Sequence, residues 1–365
     1  MRRSVLFAAV VAMALALALA WVLPASSASS SGEVRPASDP DLLVEYPVPG
    51  NPESVAVEAP NRVWFTLPAQ NLIGRLVVTS SVDYAVITYT VPTVDSYPYD
   101  IAYANGAVWF TERDGDKIGR LDTVTGAILE YPVPTSDSEP TGIDVLPGTP
   151  TRVWFTERAA DKLGQLVVTG TATTAMYEYA IPEAYTGAPP AEPQDVGIKS
   201  VSEIWFTAPG AYSIARYLPE SFEPFDFHYV YRQDTSTRGI PWSIMAAQSG
   251  VGAWFTDRGT NSVVAYFPQT FSSFIWYSLP TGNGMPNDLV VTGNLVWCTE
   301  ETGQRVVRVT MRPYSVNEFH VAGGDLGGIA ADAEGHVWFA ERDAGAIGEW
   351  RPPYFRQVFL PLVLR

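Results

Sequence analysis

This 365-residue chain has one cysteine, Cys298, and three histidines, His228, His320 and His336. A single thiol excludes an internal disulfide, so stability must come from a packed core. Cys298 stands where the equivalent repeats carry Phe, the place of a small core hydrophobe. The histidines fall in an inserted loop, an outer strand and a turn, and are expected at the surface. Basic residues are scarce as well: 23 Lys and Arg face 39 Asp and Glu, a formal net charge of −16. Loss of Arg2 and Arg3 with an N-terminal signal leaves 21 basic residues against 39 acidic, or −18. Such a surface repels nucleic acid and anionic membrane and suits cationic ligands. There is no GxSxG elbow, P-loop, HExxH pair or Cys/His cluster with metal spacing. Asp114-Gly115-Asp116 lacks the rest of a calcium loop's ligand spacing and reads as a hairpin turn.

What the chain has in quantity is a repeat. Val108 to Thr135 reads VWFTERDGDKIGRLDTVTGAILEYPVPT and returns in altered copies. Val108-Trp109-Phe110-Thr111 and Ile128-Leu129-Glu130-Tyr131 are β-branched and aromatic, which suits strands. Lys117 to Leu121 alternates apolar and polar residues at period two, a third strand. Ile101 to Ala104, followed by the turn Asn105-Gly106, supplies a fourth. The anchors Trp64, Trp109, Trp154, Trp205, Trp254, Trp297 and Trp338 are spaced by 45, 45, 51, 49, 43 and 41 residues. That period is close to the ~40 to 50 residues of a propeller blade. The longer gaps coincide with inserted loops around Gly187-Ala188-Pro189-Pro190 and Phe222 to Tyr231. The expected fold is all-β, a single seven-bladed β-propeller of four-stranded antiparallel blades whose radial closure removes most exposed edges.

In chain order, residues 1–28 read as a secretory signal peptide: Arg2-Arg3, an apolar run from Val5 to Leu23, then Ser26-Ser27-Ala28 as cleavage site. The alternative is an uncleaved membrane anchor; without the signal no membrane span remains. Residues 29–41 read as a disordered Ser/Pro linker, 42–352 as the propeller and 353–365 as a C-terminal tail. Leu43 to Pro49 copies the outer strand Leu129 to Pro134 yet precedes the first anchor. It is expected to complete the Trp338 blade and fasten the two ends of the ring, leaving the tail, with Phe355–Arg365 at its end, as an added strand or export-related tag.

The string WFTE, loop, KIGR, turn, EYPVPT and PxGI resembles the virginiamycin B lyase (streptogramin lyase) family of propellers over Leu43 to Trp350, and more distantly NHL, SMP-30 and WD40/YVTN-like propellers. The resemblance implies ring opening of a cyclic depsipeptide by elimination, with Mg2+ held by acidic residues and a His as general base in the last two blades. The family's EPHGI loop matches Asp325-Leu326-Gly327-Gly328-Ile329 here, and its PHAI loop matches Pro286-Asn287-Asp288-Leu289. Asp325 keeps the carboxylate and Glu341 is the nearest match to the second metal carboxylate, so Mg2+ on Asp325 and Glu341 is the implied cofactor. Both histidines are replaced, by Gly327 and Asn287, neither of which can take a proton near neutral pH.

Antiparallel strands bring two rings of residues to one face of the propeller. One lies just before each inner strand: Glu53, Tyr99, Thr141, Gln194, Trp242, Asn287 and Gly327. The other follows each Trp-Phe-Thr: Leu67, Glu112, Glu157, Ala208, Asp257, Glu300 and Glu341, five of them acidic. They predict a ligand-binding funnel with Tyr99 and Trp242 as aromatic walls, polar contacts from Gln194 and Asn287, and an acidic lining. The bland alternative for the acidic ring is inter-blade ion pairing with arginines such as Arg113, Arg158, Arg258 and Arg342. The expected protein is an exported, monomeric propeller that binds a small or extracellular ligand in its funnel, with an active lyase or lactonase-type hydrolase using another base as the alternative.

Overall fold

The computed structural model describes residues 43–351 apart from 81–82, 170–172, 248–250, 269–272 and 312, together with short strands at Ser26–Ala28 and Arg35–Pro36. The seven anchors each sit in the second strand of a four-stranded antiparallel blade. The Trp109 blade shows the pattern, with strands Pro98–Ala104, Ala107–Glu112, Lys117–Asp122 and Ile128–Pro132 in order from the channel outward. Its second strand is buried at every position, because it is covered by a neighbouring blade on each side. The outer strand is mostly half-buried. Among the described residues no helix is long and apolar enough to cross a membrane.

The repeat's consonants have packing reasons. The Gly of each Ile-Gly-Arg stands opposite the Phe of Trp-Phe-Thr, as in Gly119 with Phe110. A Cβ on Gly74, Gly119, Gly164 or Gly348 would lie 2.0–2.3 Å from that Phe ring. The ring occupies the space a side chain would need. Where Cys298 replaces the Phe, its cross-strand partner is Val307, so the small residue faces a larger one.

Trp and Phe of one strand point to opposite sides of the blade, as the pleat requires. Each Trp therefore joins the Phe of the next blade: Trp64 with Phe110, Trp109 with Phe155, Trp154 with Phe206, Trp205 with Phe255, Trp297 with Phe339. Trp254 meets Cys298 in the same way. The seventh cluster closes the ring, with Trp338 of the last blade packed with Phe65 of the first and with Tyr46.

Tyr46 belongs to the N-terminal strand Leu43–Pro47, which pairs antiparallel with Ala346–Trp350 as the fourth strand of the Trp338 blade. The ring is thus fastened by the segment the sequence pointed to. Its ring stacks on Trp338 at 6.0 Å and its hydroxyl donates to Glu349 at 2.7 Å. Arg35–Pro36, inside the stretch expected to be unstructured, pairs outside this strand with Val44 and Glu45. Ser26–Ala28, at the expected cleavage site, runs beside Val86–Thr88 of the first blade. The rest of the expected signal and linker, and the tail from residue 352, lie outside the described residues.

Two details differ from the sequence reading. Phe225–Tyr229 is the outer strand of the Trp205 blade, and the insertion is the hairpin Tyr231–Arg232 with Thr237–Arg238 that follows it. His228 is accordingly in a strand and mostly buried, its Nδ1 3.0 Å from the Tyr266 hydroxyl. His336 is mostly buried too, with Nδ1 3.2 Å from Glu349, whereas His320 is exposed. Aromatic neighbours and buried carboxylates drew the two rings inward, which the turn chemistry around them did not reveal.

Deleting Leu43–Pro49 would expose a strand edge and remove Tyr46 from the closing core. The loss of one buried aromatic alone costs about 3–5 kcal/mol. A clear fall in the thermal midpoint is expected by calorimetry, and an unchanged midpoint would contradict closure by this strand.

Candidate functional site

The threonine of Trp-Phe-Thr builds the site. In six blades its Oγ1 donates to the carbonyl of the residue leading into the next blade's inner strand. Thr66 reaches Tyr99 at 2.9 Å, Thr111 Thr141 at 2.8 Å and Thr156 Gln194 at 3.2 Å. Thr207 reaches Trp242 at 2.9 Å, Thr256 Asn287 at 2.8 Å and Thr299 Gly327 at 2.7 Å. The same oxygen accepts an amide of its own blade's inner strand, such as that of Asp100 at 3.0 Å or Asp195 at 3.0 Å. In the last blade Ala340 has no hydroxyl, and a main-chain bond from Gly328 to the Glu53 carbonyl, 2.8 Å, takes over. Five of the held positions are β-bulges, including Tyr99-Asp100, Trp242-Ser243 and Asn287-Asp288. A bulge kinks the strand and re-aims the side chains around it.

These side chains surround a central cavity of about 510 Å³. Glu53, Tyr99, Gln194, Trp242 and Asn287 all line it, so the four ligand-binding positions read from the sequence share one space. Gln194 Nε2 reaches the Tyr99 hydroxyl at 3.4 Å, across the intervening Trp154 blade. Burial, and then Glu53, raise the Tyr99 phenol above its ordinary range. It is a hydrogen-bond donor near neutral pH.

The sequence reading missed the guanidiniums. Arg258 lies 3.6 Å over the Trp242 ring, donates to Asn287 Oδ1 at 2.7 Å and is paired with Glu301. Arg342 binds Glu53, with Nε to Oε2 at 2.8 Å, and stands 3.5 Å from Glu301. Arg113 covers Tyr97 at 4.0 Å and Tyr99 at 5.4 Å. The acid-Arg dipeptides were visible in the sequence; which member faces the funnel was not.

The acids themselves turn away. Glu112, Glu157, Glu300 and Glu341 are fully buried, line no part of the cavity and leave both carboxyl oxygens without a hydrogen-bond partner. Asp257 is also buried but satisfied, accepting from the Ile240 amide at 2.6 Å and from Thr260 Oγ1 at 2.6 Å. This corrects both sequence readings of the acidic ring, since none of the four glutamates lines the funnel or pairs with the Arg beside or near it. A strand's alternation explains it: the residue after Thr points into the blade interface, and only the next one leaves the sheet.

Burial, followed by Glu130 for Glu112, Glu178 for Glu157 and Glu45 for Glu341, raises these three carboxyls to about 8 from an ordinary 4.5. Burial and Glu318 raise Glu300 to about 7. Burial also acts on Glu130, but its bonds from Lys117 and Thr93 outweigh that and hold it below the ordinary range. In the Glu112–Glu130 and Glu157–Glu178 pairs one acid is thus neutral and the other ionised, the usual outcome for two carboxyls in one site.

For a hard dication, which takes about six or more oxygens, Asp325 and Glu341 make a poor set. Glu341 is enclosed between Gly323 and Gly348, while Asp325 is half-exposed on the loop above. Among the described residues no group of three or more His, Cys, Asp or Glu is gathered closely enough to hold a metal.

With this geometry in hand, the chain can be compared with known proteins. The profile of the Virginiamycin B lyase family matches residues 27–304. The chain belongs to that family. A virginiamycin B lyase from Nocardia farcinica (strain IFM 10152) is 36% identical over 83 residues, which is 23% of this chain and only 28% of that relative's length. A solved streptogramin B lyase superposes with a TM-score of 0.71 at 26% identity, covering 85% of this chain and 97% of that one. Virginiamycin B lyase from Staphylococcus aureus gives 0.71 at 25% identity, over 85% and 99%.

The raised carboxyls set a pH dependence for this family member. A folded-state value above the unfolded one means the native state binds extra protons, so stability falls with rising pH. The contribution is full below about 4.5 and is lost as pH rises through 7 to 8. Gln mimics the neutral acid. A Glu112→Gln/Glu341→Gln variant should therefore gain in thermal midpoint relative to wild type between pH 5 and pH 9; a constant difference would show that these acids are not protonated in the fold.

Proposed function

We propose that this protein is an exported, monomeric ligand-binding propeller of the virginiamycin B lyase family that does not carry out the family's histidine-based elimination. The observation that carries the reading is the environment of the two positions where the family resemblance places histidine. A Cβ on Gly327 would lie 2.1 Å from the Glu53 carbonyl oxygen, with main chain rather than a movable side chain in the way. At the other position Asn287 is engaged by Arg258, whose guanidinium also covers Trp242. An amide held by a permanently charged donor stands where the resemblance places a proton-accepting imidazole, and neither group takes a proton near neutral pH. The cavity size and its mix of aromatic walls with a few convergent polar groups fit a small-molecule site.

The partners in this reading are the protein's own residues. Trp242 and Tyr99 offer apolar faces, Asn287 and Gln194 offer amides, and Arg258 and Arg342 are charged donors whose pairing with Glu301 and Glu53 a ligand would have to share or displace. Mg2+ belongs to the alternative, an active lyase or a lactonase-type hydrolase using a different base, and would have to gather Asp325 and Glu341 from separate surroundings.

The test is to incubate the secreted protein with a type B streptogramin and Mg2+ and follow the mass and retention time of the ligand. The expected result is the intact ring; an opened product of unchanged mass that disappears in a Glu341→Ala control would establish the lyase reading instead. A Gly327→His variant should unfold at lower temperature than wild type and gain no ring-opening activity. Its gaining activity at undiminished stability would mean that only the base, and not the space for it, had been lost.

A further inference from the structure

Below the mouth, the channel is a carboxylate site. Asp100, Asp195 and Asp288 each follow a mouth residue, Tyr99, Gln194 and Asn287, and come from alternate blades. Each directs one oxygen to the inner strand of the following blade: Asp100 accepts from the Ile143 amide at 2.9 Å, Asp195 from Ile244 at 2.8 Å and Asp288 from Ile329 at 2.8 Å. The other oxygen accepts the next amide of its own strand, from Ile101, Val196 and Leu289. Ser54 and Ser243 add hydroxyl bonds to Asp100 and Asp288 at 2.7 and 2.6 Å. The three acids line the cavity and remain reachable by water from it, although protein encloses them on every other side.

They also feel one another. Burial raises Asp100 to about 7, with Asp288 adding to the effect, and burial with Asp100 and Asp288 pushes Asp195 up. Asp144, deeper in the channel, is raised by burial, as is Asp288. No lysine or arginine is among the described residues that line the cavity. The nearest cations, Arg342 and Arg258 at the mouth, are held by Glu53 and Glu301. Gln194 supplies an independent sign of a missing partner: it is 5% exposed, its side chain reaches across the channel to Tyr99, and its Oε1 has no hydrogen-bond partner.

We propose that this channel binds a compound ending in a primary ammonium group, seated among Asp100, Asp195 and Asp288 with its stem passing Gln194 toward the aromatic mouth. The proposal rests on reading the cavity as a ligand site and names the chemistry it takes. An ammonium carries three N–H donors and no acceptor, one donor for each carboxylate of the tier. The oxygen of each acid that crosses to the following blade takes one main-chain amide and keeps a lone pair for one more donor, which suits hydrogen bonding better than the close oxygen shell of a dication. Gln194 Oε1, unpartnered and closed off from the channel, becomes a further acceptor for a second amine once the amide turns from Tyr99, and Trp242 and Tyr99 favour cationic or apolar stems at the mouth. Bound cation and bound proton compete, so affinity should rise from pH 5 to pH 8 and binding should release protons.

Spermidine titrated into the full chain tests this, with amide resonances of Ile143, Ile244 and Ile329 as reporters of the three carboxylates. Saturable shifts in these amides at pH 8, weakened at pH 5 and weakened about tenfold or more in Asp195→Asn/Asp288→Asn, are expected. Because the wild-type amides report directly, a double variant that fails to fold does not spoil the test. Absence of saturable shifts, shifts confined to surface acids, or Ca2+ producing the same shifts at lower concentration would each overturn the ammonium assignment. An uncharged ligand that changes Trp242 emission while spermidine leaves the three amides unmoved would keep the cavity as a ligand site and remove only its ammonium specificity.

Discussion

Six of the seven blades are tied to the next by the same threonine hydrogen bond, and the rest of the molecule is arranged around that constraint. A hydroxyl at the end of the second strand has one proton and accepting lone pairs, so it can hold an amide of its own blade and a carbonyl of the next at once. The carbonyl it holds belongs to a residue whose side chain is then aimed over the channel. Structure and site are thus joined at one atom. The fold fixes the main chain of Tyr99, Gln194, Trp242 and Asn287, while their side chains stay free to vary from blade to blade without disturbing the ring.

The division of labour continues one residue later. Asp100, Asp195 and Asp288 accept main-chain amides across blade boundaries, so they serve the ring as well as the channel. Glu112, Glu157, Glu300 and Glu341 serve only the ring. They lie under the loops beside a second acid of the outer strand, or, for Glu341, of the fastening strand, and burial there favours their neutral form. A buried neutral carboxyl costs far less than a buried charge, which is how a strongly acidic chain can place several carboxyls in its blade interfaces.

The architecture was legible because its signals are periodic. Trp-Phe-Thr, Ile-Gly-Arg and the outer-strand Glu-Tyr-Pro recur at blade spacing, and each reports a contact that also recurs: Trp to the next blade, Gly under Phe, Tyr beside Trp. Even the closure by Leu43–Pro47 followed from a copy of one motif found in the wrong place. The site was half legible. Its ring of mouth residues could be counted from the inner strands, and those positions meet at the cavity. The direction of the acid-Arg dipeptides could not be counted, because it depends on where the strand ends and the loop begins. A boundary shifted by one residue exchanges the buried side chain for the exposed one, and so the carboxylates were expected where Arg258 and Arg342 are found.

The same reasoning bears on the junction between the last blade and the first. Gly327 has no room for a side chain, because the Glu53 carbonyl stands where one would be and Gly328 binds that same carbonyl. That contact sits at the one blade junction where Ala340 replaces the threonine, so the main-chain bond there does the joining that the hydroxyl does elsewhere. Glycine at 327 is therefore demanded by the closure of the ring as well as permitted by the site. Arg342, from the same last blade, reaches over the junction to Glu53 and adds a second tie across it. The seam between last and first blades is in this chain occupied by contacts that close the propeller, and the side chains that vary from blade to blade lie around the channel, from Tyr99 through Gln194 and Trp242 to Asn287.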